Sequence, residues 1–227
     1  MGDTLEKILG ALGEISGRAI LDAGCGHGRL TSALAGRGAK VSAIDPDETA
    51  VTAARKTAPA ARIEQSGAEA LPFAERSFDG VVMLNSLHHV PVALQRQALG
   101  EMARVAKPGA PVVIVEPLAE GSFFAAMLPV EDETEIRAQA QAALAAAHAD
   151  DGPLRLVEIV EYERLSTFAD VDAFLAALVA SDTARRTVLA AARPAVEALI
   201  AEHGEAAESG FTLRQPHRMH RLAPRET

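Results

Sequence analysis

A glycine-rich stretch near the start of the chain has the residue types and spacing of a ligand-binding loop, and it reads ILDAGCGHGR over residues 20–29. Three glycines alternate with other residues, at Gly24, Gly26 and Gly28, between an apolar run and a helix-forming segment. Glycine lacks a Cβ, so a ligand can lie directly against its backbone. The N-terminus of the next helix adds unpaired N–H groups and partial positive charge. The pattern therefore predicts a strand, a turn and a helix that bind a small polar or anionic ligand.

Two carboxylates belong to the same candidate site. Asp22 lies at the end of the predicted first strand, where a carboxylate needs a polar partner. A second hydrophobic strand ends at Asp45, about 20 residues after the first glycine, the distance at which doubly wound folds place an acid on ribose hydroxyls. These features favour a ligand that contains a nucleoside. The alternative is a tight strand-to-helix turn that binds nothing.

The elements that must position these residues alternate along the chain. Strands are predicted at residues 19–23, 40–45, 62–66, 78–84, 111–115, 154–165 and 211–222. After a short amphipathic start at residues 4–12, helices are predicted at residues 30–37, 48–57, 92–105, 136–149, 170–180 and 184–202. The nearly continuous apolar runs are typical of strands buried on both faces of a parallel sheet. We therefore predict an α/β fold with a doubly wound, mostly parallel, seven-stranded sheet and helices on both faces.

Composition narrows the class of protein. The 227 residues are 48% hydrophobic, which suits a single domain over residues 1–227. The net charge of -9 argues against binding to nucleic acid or anionic membranes, and the basic stretch 214–221 is predicted to be a solvated edge strand. The single cysteine, Cys25, excludes an intramolecular disulfide, and no apolar run reaches the ~18 residues of a membrane span. We expect a cytoplasmic protein, monomeric or homodimeric.

With these pieces placed, the chain resembles a class I S-adenosylmethionine-dependent methyltransferase of the bacterial small-molecule type. The resemblance lies in four stretches in the family's order, residues 21–28, 41–45, 67–79 and 101–109. It implies a Rossmann-like fold with S-adenosylmethionine as cofactor and S-adenosylhomocysteine as product. It also implies direct transfer of a methyl group to an O, N or C atom of a small-molecule acceptor. Two alternatives remain open: a catalytically inactive cofactor-binding partner or sensor, and a transferase that moves another group from a modified sulfonium.

The glycine spacing separates this family from dinucleotide dehydrogenases. Those enzymes use G-x-G-x-x-G, with the third glycine one residue later. Here the spacing is G-x-G-x-G, and Arg29 occupies the position of the dehydrogenase glycine. A dinucleotide is therefore disfavoured.

The resemblance implies a set of cofactor-binding residues after the first, second, third and fourth strands: Asp22, Gly24, Cys25, Gly26, Asp45, Pro46, Gly67, Ala68, Glu69, Asn85, Leu87 and His88. The resemblance implies that the glycines and Asn85 contact the methionine part, that Asp45 binds both ribose hydroxyls, and that the Ala68 N–H donates to adenine. The family usually has an acid at the position of Gly67. Glu69 or a backbone carbonyl must therefore accept from the adenine amino group.

Candidate catalytic groups follow the fourth and fifth strands. A general base is needed only if the acceptor loses a proton, and histidine titrates near neutral pH. His88 and His89 stand beside the expected methyl group, with Glu116 as a weaker candidate; the alternative is that the histidines only pack. The chain has no dense Cys/His/Asp cluster, so we predict no metal.

Residues 118–152 leave the sheet just after the predicted active edge. We predict that they form a lid or substrate-binding insertion that determines acceptor identity. Their apolar cluster, Phe123, Phe124, Met127 and Leu128, either lines the acceptor pocket or packs in an ordinary core.

Overall fold

The structure, a computed structural model, describes residues 2–225. Within them the helices are α1 (Gly2–Leu12), α2 (Arg29–Ala35), α3 (Glu48–Thr57), α4 (Val92–Val105), α5 (Ser122–Met127), α6 (Thr134–Ala147), α7 (Val171–Ser181) and α8 (Leu189–His203). The strands are β1 (Ala19–Ala23), β2 (Lys40–Asp45), β3 (Arg62–Gln65), β4 (Gly80–Leu84), β5 (Val112–Pro117), β6 (Leu154–Phe168), β7 (Glu205–Ala206) and β8 (Phe211–Pro224). Short 3-10 helices span Leu87–His89 and Thr183–Thr187.

The strands form one sheet in the order β3-β2-β1-β4-β5-β8-β6, with the two-residue β7 paired to β8. The pairs β1–β2, β1–β4, β2–β3 and β4–β5 are parallel. The predicted α/β fold with seven principal strands is therefore confirmed. The chain runs from β1 outward to β3 and then returns to β4 on the other side of β1. This reversal of strand order is the place where open α/β sheets bind ligands.

The core explains why the apolar runs are continuous. Every residue of β5 is buried, and β4 is buried over its first four residues, because helices cover the sheet. Leu99 and Met102 of α4 pack with Met83 and Ile114 in the principal core cluster. β4 and β5 are thus held by packing against α4.

The chain divides into two compact units. The first comprises the chain up to residue 116, residues 139–160, and the chain from 218 on; the second comprises 117–138 and 161–217. The second unit has its own apolar core, which includes Phe124, Met127, Phe174, Leu178 and Val196. The predicted insertion 118–152 is therefore split between the two units.

The position of β8 differs from the prediction. The basic stretch 214–221 was expected at a solvated edge, but β8 lies between β5 and β6, and β6 forms the edge. Gln215, His217 and His220 of β8 are buried. The edge prediction was wrong because the basic residues mark only the partly exposed positions of an interior strand.

Candidate functional site

The carboxyl ends of four parallel strands bring the predicted site residues to one edge of the sheet. Ala23 of β1 is in register with Ile44 of β2, and Leu84 of β4 with Val115 of β5. The glycine loop, Asp45, the turn after β4 and Glu116 consequently share that edge, within the first unit. This is the geometry expected of a ligand site in an open α/β sheet.

Glycine is required at the three loop positions for different structural reasons. All have positive φ, at +78° for Gly24, +50° for Gly26 and +79° for Gly28. A Cβ on Gly24 would lie 2.5 Å from Cβ of Ser86, and one on Gly28 would lie 2.9 Å from Cα of Ala54 in α3. At Gly26, by contrast, no described atom lies within 4 Å of the place a Cβ would take. Two glycines therefore serve packing, and Gly26 presents open backbone.

Asp45 joins the glycine loop to the end of β2. Its Oδ2 accepts a hydrogen bond from the Gly26 N–H at 2.8 Å, and its Oδ1 accepts from the Asp47 N–H at 3.0 Å. A carboxylate has about four acceptor positions, so both oxygens can still accept hydroxyl donors. The sequence did not reveal this second role in holding the loop.

Asp22 is buried beneath the loop, with Thr31 of α2 as its partner. The Thr31 hydroxyl donates to Asp22 Oδ2 at 2.6 Å. Burial raises the pKa of Asp22 to about 6; the Thr31 hydroxyl opposes the rise, and the Asp45 charge adds to it. Burial, with the Asp22 and Asp45 charges, also raises the pKa of the Cys25 thiol to about 12, so that this thiol stays neutral at physiological pH.

The predicted adenine segment has an unusual arrangement at Gly67. A Cβ on Gly67 would collide with both carboxylate oxygens of Glu69. The Glu69 carboxylate thus occupies the space that a side chain at position 67 would take. Gln97 of α4 donates to the Glu69 carbonyl at 2.9 Å. Ala68, which lies between Gly67 and Glu69 in the sequence, is buried.

The turn after β4 begins with Asn85 in the left-handed region, at φ +53°. Its N–H donates to the Val115 carbonyl at 2.8 Å, but its side-chain Oδ1 is buried and has no hydrogen-bond partner among the described residues. Buried polar atoms are nearly always hydrogen-bonded, so this oxygen is an exception that needs an explanation. The next residue, Ser86, donates through its hydroxyl to the Gly24 carbonyl at 2.9 Å and thereby ties the turn to the glycine loop.

Glu116 anchors the same turn from β5. Its Oε1 accepts from the N–H groups of Ser86 at 3.0 Å and Leu87 at 2.9 Å. Its Oε2 pairs with Nδ1 of His88. Burial by itself would raise the pKa of Glu116, but the His88 ring and these backbone donors outweigh it and hold that pKa below its usual range. The sequence placed Glu116 on the active edge without indicating this pairing.

The apolar cluster of the predicted lid lies in the core of the second unit. Phe124 and Met127 are buried with Phe174, and Phe123 packs edge-on against the Phe174 ring at 5.4 Å between centroids. Leu128 is exposed. For Phe123, Phe124 and Met127 the structure favours packing in a core over lining the acceptor pocket.

Within residues 2–225, no group of three or more His, Cys, Asp or Glu side chains is arranged to hold a metal ion. None of the described helices has both the length and the apolar character needed to cross a membrane.

Comparisons with known proteins agree with this geometry. Residues 20–109 match a family described as a methyltransferase domain. O-methyltransferase cnsE of Penicillium expansum is 37% identical over 124 residues, covering 51% of this chain and 44% of that protein. A ubiquinone biosynthesis O-methyltransferase of Alkalilimnicola ehrlichii is 39% identical over 114 residues, covering 48% and 45%. The chain thus spans just under half the length of these curated relatives.

Solved structures show the same fold over the whole chain. The YcgJ protein of Bacillus subtilis has a TM-score of 0.71 at 18% identity and covers 100% of both chains. The BH2331 protein of Bacillus halodurans has a TM-score of 0.69 at 18% identity, with 97% of this chain and 98% of that one covered. Residues 20–109 therefore match a methyltransferase domain, and the whole chain shares the fold of these solved structures.

Proposed function

We propose that the protein transfers a methyl group from S-adenosylmethionine to an O, N or C atom of a small molecule. One observation carries this proposal. Open backbone at Gly26, spare acceptor capacity on Asp45 and the unpartnered Oδ1 of Asn85 occur together at one sheet edge. Each is a feature that a bound ligand would complete, and the family match over residues 20–109 supports S-adenosylmethionine as that ligand.

The residues present fit the two polar ends of this cofactor. The methionine part would lie against Gly24, Cys25 and Gly26, with its ammonium group facing the Asp22 carboxylate. The same group would donate to the Asn85 side-chain oxygen after rotation of the side chain turns this buried atom toward the site. Burial of Asp22 supports its contact with the ammonium group, because a buried carboxylate with a raised pKa gains most from a cation. Leu87, whose side chain is buried, would close this end.

The nucleoside part would lie over the ends of β2 and β3. Asp45 would accept from both ribose hydroxyls, beside Pro46. Adenine would receive the Ala68 N–H and donate its amino group to Glu69. The position of the Glu69 carboxylate, in the space left by Gly67, supports Glu69 as the replacement for the family's acid.

The cofactor supplies an electrophilic methyl group on a sulfonium with its own leaving group. The protein's residues then mainly hold the reactants in line and exclude water. His88 and His89 are the proposed proton acceptors, because both lie in the short 3-10 helix that follows β4, with ring centroids 4.1 Å apart and ring planes tilted by 44°.

The class of acceptor, its binding segment, the cellular location and the oligomeric state are also proposed. Relatives described as O-methyltransferases, and a demethylmenaquinone methyltransferase of Renibacterium salmoninarum that is 33% identical over 109 residues, support a small-molecule acceptor. We propose that residues 118–152 contribute to acceptor binding within a single functional domain. We also propose that the protein acts in the cytoplasm as a monomer or homodimer.

Calorimetry with S-adenosylhomocysteine tests the cofactor assignment. We expect saturable binding at one site per chain and none with NAD. Binding of NAD without binding of S-adenosylhomocysteine would overturn the proposal. Methyl transfer from labelled S-adenosylmethionine in a metabolite mixture then separates an active enzyme from an inactive cofactor-binding partner.

A further inference from the structure

The adenine segment, residues 67–73, forms neither helix nor strand, so its backbone groups need hydrogen-bond partners from other elements. Side chains of α4 supply several of these partners. Gln97 donates to the Glu69 carbonyl at 2.9 Å, and the Glu101 carboxylate accepts from the Leu71 N–H at 3.0 Å. Gln97 and Glu101 are one helical turn apart, and they therefore lie on the same face of α4.

Arg104 extends this row of contacts by one more turn. Its Nη1 donates to the Phe73 carbonyl at 2.8 Å, and its Nη2 donates to the Leu71 carbonyl at 3.1 Å. Its Nε and Nη2 also donate to the two carboxylate oxygens of Glu101, each at 2.6 Å. The contacts need the planar fork of a guanidinium, because a lysine ammonium is a point charge that cannot span all three groups.

Apolar packing holds the same segment against the helix. Ala68 and Leu71 are buried in the core cluster that also contains Leu99 and Met102 of α4. The Phe73 ring packs edge-on against Phe78, with 5.0 Å between the ring centroids. These contacts fix the conformation of the segment without a ligand.

The docking on α4 leaves the groups that would contact adenine available. Among residues 2–225, neither the Ala68 N–H nor the Glu69 carboxylate has a hydrogen-bond partner. A donor and an acceptor on adjacent residues complement adenine, whose ring nitrogen N1 accepts and whose 6-amino group donates. The same two groups are mismatched to hypoxanthine, in which an oxygen replaces the amino group.

The start of α4 holds the turn at the opposite end of the proposed cofactor site. Gln95 donates to the Leu87 carbonyl at 3.3 Å and to the Val90 carbonyl at 3.2 Å. One helix therefore anchors both the turn after β4 and the adenine segment.

We propose that Glu101 and Arg104 are positioning residues that hold the adenine segment in its binding conformation, and that they thereby give the site its preference for a 6-aminopurine cofactor. The proposal rests on the proposed methyltransferase function. Both side chains act through the backbone of Leu71 and Phe73 and would not touch the cofactor. Loss of these contacts would loosen the geometry between the Ala68 N–H and the Glu69 carboxylate, so discrimination between the two bases would fall.

Calorimetry with S-adenosylhomocysteine and S-inosylhomocysteine, which carries hypoxanthine in place of adenine, tests this proposal. The wild type should prefer S-adenosylhomocysteine by about 5-fold or more, because one hydrogen bond to a charged acceptor distinguishes the two ligands. Arg104→Lys keeps the charge and the helix propensity, and we expect it to reduce the preference to below about 2-fold. Arg96→Lys, at an exposed position of the same helix, is the matched control and should keep the wild-type preference.

The reversed pair, Glu101→Arg/Arg104→Glu, separates positioning of the segment from stabilisation of α4. It keeps an ion pair on the helix, but it sets a donor against the Leu71 N–H and an acceptor against the carbonyls, so the preference should stay low. Hydrogen exchange of residues 67–73 should rise in ligand-free Arg104→Lys, while exchange of β4 and β5 stays unchanged.

The possible outcomes are distinct. Wild-type preference in Arg104→Lys, or its recovery in the reversed pair, would overturn the positioning role. A wild type that binds no S-adenosylhomocysteine would refute the proposed function instead.

Discussion

The first unit's sheet edge and the interior of the second unit are both rich in buried polar groups, but they use them differently. At the sheet edge, Asn85 Oδ1 has no partner among the described residues, and Gly26 leaves open space beside its backbone. In the second unit, Glu133 is buried between Arg137 and Arg185, whose guanidinium groups both bond to its carboxylate. The groups at the sheet edge keep unused hydrogen-bonding capacity, whereas the Glu133 carboxylate is paired with two arginines.

The network of the second unit is closed by further contacts. Arg137 also donates to the Leu118 carbonyl at 2.9 Å and to Gln215 at 3.1 Å, and its guanidinium lies 4.7 Å from the centre of the Phe124 ring. Arg185 has a second carboxylate partner in Glu131. Such a network is costly to break, because each remaining charge would be left buried.

The largest effect is expected from Glu133→Gln. It leaves two buried arginines short of a counter-charge, and we expect a loss of about 3–5 kcal/mol in the free energy of unfolding, measured in urea. Cofactor affinity of the folded protein should be unchanged. Asp172→Asn, which removes an exposed partner of Arg193, is the matched control and should not move the unfolding midpoint. Equal effects of the two substitutions would show that the buried Glu133 network does not hold the fold.

Asp22→Asn should stabilise the ligand-free protein, whereas Glu133→Gln should destabilise it. The folded-state pKa of about 6 lies above the ordinary 3.8, so folding favours the protonated acid. The stability that protonated Asp22 contributes to the fold is fully present below pH 4 and is lost as pH rises through 6. At pH 8 the ionised carboxylate should cost about 3 kcal/mol, which the substitution recovers.

Thermal melts across pH 4 to 8 check this expectation. The two proteins should converge near pH 4 and separate above pH 6, and S-adenosylhomocysteine should raise the wild-type midpoint far more than that of the variant. A variant that is less stable at pH 8 would show that the Asp22 carboxylate serves the fold and not the ligand.

Asp45→Ala should weaken binding of S-adenosylhomocysteine by more than about 1.5 kcal/mol, because it removes the acceptor for two hydroxyls. Asp47→Ala, two residues later, is a close control. Asp47 caps α3 by accepting from the Thr49 N–H at 2.6 Å, so its loss should reduce stability by about 1 kcal/mol and leave affinity unchanged. The reverse pattern in calorimetry would show the ribose assignment to be wrong.

The smallest effect is expected at the adenine end. Glu69→Ala should weaken binding of S-adenosylhomocysteine by about 1 kcal/mol, since one hydrogen bond to a charged acceptor is lost. The double variant Gly67→Asp/Glu69→Ala should recover that affinity, because the new carboxylate enters the vacated space. If calorimetry finds the affinity of Glu69→Ala for S-adenosylhomocysteine unchanged, the adenine amino group must donate to a backbone carbonyl instead.

Much of the first unit's fold could be predicted from its sequence, because its elements are locally encoded. The bounds of β1, β2, α3 and α4 match the predicted ones. The predicted start of β4 was two residues early, because Asp79 turns its side chain to accept from the Ala19 N–H, at 2.9 Å. The place of β8 was not predictable in this way, since strand order depends on contacts between distant parts of the chain.

The site was predictable as an edge but not as a set of contacts. The ends of parallel strands placed Asp45, Asn85 and Glu116 on one side of the sheet from sequence alone. The pairing of Glu116 with His88 depends on the conformation of the turn after β4, where Asn85 has positive φ. No spacing rule encodes that conformation, so the partner of a buried acid had to come from the structure.

A crystal structure of the complex with S-adenosylhomocysteine would show whether the sheet edge of the first unit is the ligand site. We expect the incomplete groups to be completed together: ribose hydroxyls on Asp45, methionine backbone against Gly26, and an ammonium donor on Asn85 Oδ1. The second unit's Glu133 network should be unchanged. A ligand bound elsewhere, with Asn85 Oδ1 still unpartnered, would contradict the account.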